Sequence, residues 1–168
     1  MPIINGIRRG ICASHVSMGP LLDGLASRDD RLWPHDRWPA MRFDRPLGVG
    51  ARGGHGPIRY TVEQFDPGRH VRFRFTGPRG FDGYHALHLE DDPSGCCLVY
   101  ELRMTVHGWA RLSWPIVFRP LHDALVEDAL DRAATVAGDP GVARWSWRVR
   151  VLRRLLALLL PRATTRGA

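Results

Sequence analysis

Four side chains of this sequence combine proton-transfer chemistry with apolar neighbours: Tyr60, His85, Tyr100 and His122. Tyr60 alternates with Ile58 and Val62, His85 with Leu87 and Leu89, and Tyr100 with Leu98 and Leu102, so each shares a strand face with hydrophobic residues. Imidazole titrates near neutrality and a phenol carries a hydroxyl donor. A His–Tyr pair can therefore protonate an enolate or assist a dehydration. On that chemistry His122 and His85 are the candidate catalytic groups, with Tyr60 or Tyr100 as hydroxyl donor. Taken singly, the plainer reading of each is a core residue whose polar atom is satisfied locally.

No other motif supplies a reaction. In an extended segment His85-Ala-Leu-His88 places its imidazoles on opposite faces, so the pair cannot close on one ion and no metal is expected. Gly48-Val-Gly-Ala-Arg-Gly53 matches GxGxxG in letters, but it runs into Gly54, Gly56, Pro57 and then a strand pattern. A dinucleotide site needs a helix there, so the segment reads as a hairpin loop and no cofactor is expected. Nothing resembles GxSxG, a P-loop, HExxH or an inward carboxylate pair, which argues against hydrolysis and phosphoryl transfer.

The elements that must position these residues are legible as a block of strands followed by one helix. Ile7–His15 reads as a first strand, and Ser17 as the cap of a short helix Met18–Ala26 carrying Leu21, Leu22 and Leu25. Residues 27–46 are loop-like, with Trp33-Pro34 and Trp38-Pro39 as rigid corners and a short edge strand at Met41–Phe43. From Ile58 to His107 apolar and charged residues alternate through four segments separated by Asp66-Pro67-Gly68, residues 77–80 and residues 91–95. Such short turns imply antiparallel neighbours, with one apolar face that needs a cover.

The cover is a helix over Leu121–Ala137, closed by Gly138-Asp139-Pro140-Gly141; Trp109–Arg119, punctuated by Pro115 and Pro120, is ambiguous between helix and loop. On a helical wheel Leu125, Val126, Ala129, Ala133, Val136 and Ala137 form one stripe opposite Asp123, Glu127, Asp131 and Thr135, and His122 falls within that stripe. Ala129 and Ala133 leave space where larger residues would fill it. The inward faces of sheet and helix give the expected ligand-contacting set: Tyr60, Phe73, His85, Leu87, Tyr100, Leu102, Met104, His122, Leu125, Ala129 and Ala133.

Charge separates the body from the tail. The 24 basic residues are all arginine; seven lie from Arg144 onward, where there is no acid, leaving 17 against the chain's 17 acids in the rest. A neutral body offers no basic groove for phosphates, so nucleic acid is not an expected partner. In the tail Trp145, Val149, Leu152 and Leu156 recur at helical spacing, with Arg148 and Arg153 among them. That basic amphipathic pattern suits an anionic membrane surface; its alternative is packing on the domain or on a second subunit. Cys12, Cys96 and Cys97 are odd in number, and an adjacent-residue bridge would be strained, so reduced thiols and a cytoplasmic location, at most peripheral to a membrane, are expected. Residues 1–17 contain no apolar run long enough for a signal peptide, and Leu155–Leu160 is too short to span a bilayer.

The order strand, short helix, antiparallel meander, long C-terminal helix resembles the helix-grip fold of the SRPBCC/START-like superfamily, which includes lipid carriers and polyketide cyclase/dehydrase-like proteins. Leu21–Pro34, Gly56–Phe75 and Leu121–Ala133 carry the resemblance, which covers roughly residues 7–138. It implies an α+β domain in which a curved antiparallel sheet wraps around the long helix and encloses a hydrophobic small molecule or lipid. It brings no catalytic signature. The expected organisation is a domain over 1–142 and a basic helical tail over 143–168. The alternatives to a carrier are a cyclase or dehydratase using the pocket His and Tyr residues, and a membrane-associated accessory protein acting through the tail.

Overall fold

The computed structural model describes residues 1–11, 13–93, 95–138 and 145–159; at 5–11, 156, 157 and 159 it describes the backbone alone. Cys12 and residues 139–141, where a turn was expected, lie outside the described residues, as does the side chain of Leu156.

The chain forms seven strands, β1 Pro2–Ile11, β2 Arg42–Phe43, β3 Arg52–His55, β4 Ile58–Asp66, β5 His70–Gly77, β6 Phe81–Asp92 and β7 Gly95–Val106, of which β4–β7 carry the alternation of apolar and polar residues. They form one antiparallel sheet in the order β1-β7-β6-β5-β4-β3-β2. The first strand begins earlier than Ile7 because β7 offers a ladder along its whole length, from Ile11 opposite Cys96 to Pro2 opposite Thr105. The Gly48–Gly53 segment turns and enters β3, so it opens a strand and not a helix.

Helix α1 spans His15–Asp23 and not Met18–Ala26. Ser14, not Ser17, is the cap: its hydroxyl accepts the Ser17 N–H, and the Ser17 hydroxyl donates back to the Ser14 carbonyl at 2.9 Å. Met18, Leu21 and Leu22 bury one face of α1 in the core. Gly19 lies so close to the turn after β4 that a Cβ there would be 2.9 Å from the Gly68 Cα.

The ambiguous segment after β7 is helical. Helix α2 (Ala110–Ser113), a π-helical turn (Trp114–Phe118) and helix α3 (Arg119–Val136) follow one another without a break. Pro115 and Pro120 fall where the hydrogen-bonding period changes, at the start of the π-helical turn and at the start of α3, so the run stays helical through both. Leu125, Val126, Ala129 and Ala133 bury the expected face of α3. Two features differ. Val136 is exposed, lying at the very end of the helix, and Leu130 and Asp128 are buried.

Asp128 faces the last element, helix α4 (Trp147–Leu159), which packs against α3. Its carboxylate accepts the indole N–H groups of Trp38 (2.7 Å) and Trp145 (3.0 Å) and an Arg37 N–H at 3.2 Å. Val149 is buried in the core and Leu152 is packed against it. The Arg153 guanidinium lies 3.8 Å from the Trp145 ring centre and 4.7 Å from that of Trp38.

Candidate functional site

Between the inner sheet face and α3 lies a cavity of about 100 Å³, many times the ~10–15 Å³ that one water needs. Its wall is built in three parts. The sheet contributes His55, Phe75, Phe81, His85, Leu87, Leu98 and Tyr100; the π-helical turn and α3 contribute Trp114, Phe118, His122, Leu125 and Ala129; the 27–46 loop contributes Leu32, Trp33 and Trp38.

Each part is positioned by a local device. In the loop, the Asp30 carboxylate accepts the N–H groups of Ala26 (2.7 Å), Leu32 (3.0 Å) and Trp33 (2.8 Å), and the Trp33 indole donates to the Pro39 carbonyl at 3.0 Å. These bonds hold a segment without regular structure as a wall. The π-turn places Trp114 and Phe118 four residues apart and against the same Phe81 ring, at 5.7 and 5.1 Å. In the sheet, β5 sets Phe73 opposite His85, and β7 sets Tyr100 opposite Leu87. Tyr100 is therefore diagonal to His85, with ring centres 5.9 Å apart.

The polar groups fall into two sets. In the first, His122 bridges Tyr100 and Asp123: Nε2 lies 2.7 Å from the Tyr100 hydroxyl and Nδ1 lies 2.9 Å from the Asp123 carboxylate. A carboxylate only accepts, so Nδ1 carries a proton. With His122 neutral, Nε2 accepts from the Tyr100 hydroxyl, and the phenol oxygen keeps a lone pair for the cavity. With His122 protonated, Nε2 donates and the Tyr100 O–H is free to donate inward. One pair thus offers an acceptor or a donor to the same space, depending on a single proton. Burial pushes the Tyr100 phenol well above its ordinary value, so it remains a hydroxyl at neutral pH.

In the second set, His85 stacks on Phe75 at 5.1 Å with a 10° interplanar angle, and its Nε2 is buried without a hydrogen-bond partner among the described residues. Burial, reinforced by His55 and His122, holds His85 well below the ordinary histidine range, so the ring is neutral. His55 is held down to about 3, first by burial and then by the charges of His122 and Arg59. Its Nδ1 is 3.1 Å from the Tyr60 hydroxyl. An unpaired nitrogen in a dry pocket is costly; here it borders the cavity.

The structure brings together His85, Leu87, Tyr100, His122, Leu125 and Ala129 around the cavity. Tyr60, Phe73, Leu102, Met104 and Ala133 do not border it. Tyr60 and Phe73 pack against the His85 ring, with centres 5.0 and 4.9 Å away, and Leu102, Met104 and Ala133 are sealed in the core. Sequence reasoning missed His55, Trp33, Trp38, Phe75, Trp114 and Phe118. Two of these belong to the Trp-Pro corners, whose aromatic content was the available signal. His88, expected on the opposite face from His85, lies on that other side and pairs with Glu90 at 3.0 Å. Cys96 and Cys97 are free and buried. Of the tail residues, Trp145, Val149, Leu152 and Arg153 are engaged by the chain's own body, while Arg148 is exposed.

A sheet gripping one long helix, with a cavity between them, is the helix-grip fold. No protein-family model and no curated protein matches the sequence. Among solved structures, the chain is similar to norcoclaurine synthase from Thalictrum flavum in complex with dopamine and hydroxybenzaldehyde, at 15% identity and a TM-score of 0.60 over 84% of this chain and 90% of that one. It is similar to CalU16 from Micromonospora echinospora, at 16% identity and a TM-score of 0.56 over 95% and 85%. It also matches the di-domain ARO/CYC StfQ from the steffimycin biosynthetic pathway, at 12% identity and a TM-score of 0.60, covering 82% of this chain and 51% of that one. At these identities the likeness is one of fold.

Proposed function

We propose that the protein binds a hydrophobic small molecule, carrying at least one hydrogen-bonding group, in the cavity between sheet and α3. The observation that carries this reading is the His85 Nε2, without a hydrogen-bond partner among the described residues, in a mostly apolar wall and 5.9 Å ring to ring from Tyr100. Apolar area supplies affinity and the two polar points supply orientation. The aromatic density of the wall favours a planar, ring-bearing ligand over a single acyl chain. Norcoclaurine synthase, of like fold, holds dopamine and hydroxybenzaldehyde, which supports the reading.

A second reading, a cyclase or dehydratase, is favoured by the Asp123–His122–Tyr100 chain. Tyr100 takes a proton from the bound molecule while its own passes to His122, and Asp123 stabilises the imidazolium that forms; the return step delivers the proton to an oxygen or carbon of the product. The StfQ likeness supports this reading at the level of fold.

The test is titration of the full chain with apolar environment-sensitive fluorophores, beside Ala129→Trp, which fills the cavity from α3. Saturable binding that Ala129→Trp weakens at least tenfold, with far-UV circular dichroism unchanged, is expected. Absence of saturable binding to the wild-type chain rejects the proposal.

A further inference from the structure

We infer that the outward face of α4 docks onto an anionic lipid bilayer. The helix carries two apolar stripes. Val149 and Leu152 turn onto the domain. On the other side Trp147, Val151, Leu155 and Leu158 recur at spacings of four, four and three, which keeps them on one face, and they are 64%, 45%, 51% and 82% exposed. This second stripe is not the set that periodicity singles out first, because the inward one includes Trp145 and Leu152 and absorbs the packing.

The charges around the stripe select the occupant. On the wheel Arg148 flanks it on one side and Arg150 and Arg154 on the other, and all three are exposed. A protein groove able to bury the stripe needs acids placed on both flanks. Anionic headgroups provide diffuse negative charge everywhere, and guanidinium stems reach them while the apolar residues enter the acyl boundary. Trp147 at the start of the helix suits the headgroup level. Among the described residues no helix is long and apolar enough to cross a membrane, so α4 lies in the surface plane. The inward stripe and the Asp128–Trp145 bond hold the domain to the docked helix. Docking does not depend on the cavity being filled, so this inference and the ligand reading fail separately.

The test is co-sedimentation of the full chain with vesicles of equal parts phosphatidylcholine and phosphatidylglycerol, and with phosphatidylcholine alone. Binding to the anionic vesicles only, weakened by salt, is expected. Each of Arg148→Gln, Arg150→Gln and Arg154→Gln should lower it about fivefold, and the double variant Val151→Ser/Leu155→Ser should abolish it. The thermal midpoint and fluorophore binding should stay unchanged throughout, since these side chains are exposed. No binding, or the same binding to both vesicle types, overturns the inference. So does a concentration-dependent dimer that Leu155→Ser dissolves, which would assign the face to a second copy of the chain.

Discussion

Replacing Asp128 by Ala is the substitution that most directly tests how the loop, α3 and α4 hold one another. The carboxylate is 2% exposed and takes three donors: the Trp38 indole at 2.7 Å, the Trp145 indole at 3.0 Å and Arg37 at 3.2 Å. Truncation leaves both indole N–H groups without an acceptor in a largely dry site. Arg37 is half exposed and rehydrates, so its share is small. Hydrogen bonds to a charged partner contribute ~1.5–3 kcal/mol each, and two of them, discounted because Trp145 is only partly buried, give a loss of about 3–5 kcal/mol. For a chain of 168 residues each kcal/mol moves the thermal midpoint by ~2–4 °C, so Tm should fall by roughly 6–20 °C. Urea and thermal unfolding followed by circular dichroism measure it. Both indoles donate to the same oxygen, so Asp128→Asn, whose amide oxygen can take that place, keeps both bonds without the charge and should lose only about 1–2 kcal/mol. A double-mutant cycle with Trp145→Phe should show a coupling of ~1–2 kcal/mol. A loss below ~1 kcal/mol for Asp128→Ala, or strict additivity with Trp145→Phe, would refute the idea that this carboxylate joins the three elements.

Two further outcomes follow from the cavity's titratable groups. His55 and His85 have folded values below the ordinary histidine value, so their contribution to stability is complete above pH ~6.5 and is lost as the pH falls toward the lowered value, about 3 for His55. The unfolded chain binds protons there that the native chain refuses, which costs roughly 2 kcal/mol for His55 between pH 7 and pH 5; His85→Phe should reduce the loss seen in urea titrations at the two pH values. If the chain turns over poly-β-keto substrates, Tyr100→Phe and His122→Phe should each reduce kcat by at least tenfold, and the double variant should be no worse than the more severe single one; full activity of either single variant removes the relay.

The sheet and the long helix were legible because both obey simple periods. Alternation at Ile58–Val62, Val71–Phe75 and Leu98–Val106 recovers the inner face, and the stripe through Leu125, Ala129 and Ala133 recovers the gripped helix. His85, Tyr100 and His122 were legible for the same reason, as polar residues on apolar faces. The remainder of the wall was not, because it does not come from periodic structure. Trp33 and Trp38 are placed by Asp30 and Asp128 through contacts that periodicity does not encode, and the Asp128 pair with Trp38 spans 90 positions. Trp114 and Phe118 depend on a π-helical turn, which a 3.6-residue period cannot anticipate. Tyr60 and Phe73 satisfied the inward rule and still do not border the cavity: the His85 ring, which does, packs against both at 5.0 and 4.9 Å, and the Tyr60 hydroxyl is taken up by His55 at 3.1 Å.

Trp38 connects these observations. One part of its ring borders the cavity, its N–H is held by Asp128 on α3, and its face receives the Arg153 guanidinium from α4. A large aromatic in a loop has many rotamers available, and ordering it costs conformational entropy that loop contacts alone rarely offset. Here the ordering is shared by α3 and α4, so the position of a cavity wall depends on a helix outside the sheet-and-helix grip. Anything that lifts α4 from the domain releases one of the two groups fixing Trp38 and removes the Trp145 bond from the same carboxylate. The basic helix thereby supports one residue of the container's wall from behind while its outer side is exposed, and the shape of the cavity and the state of α4 are linked through one tryptophan.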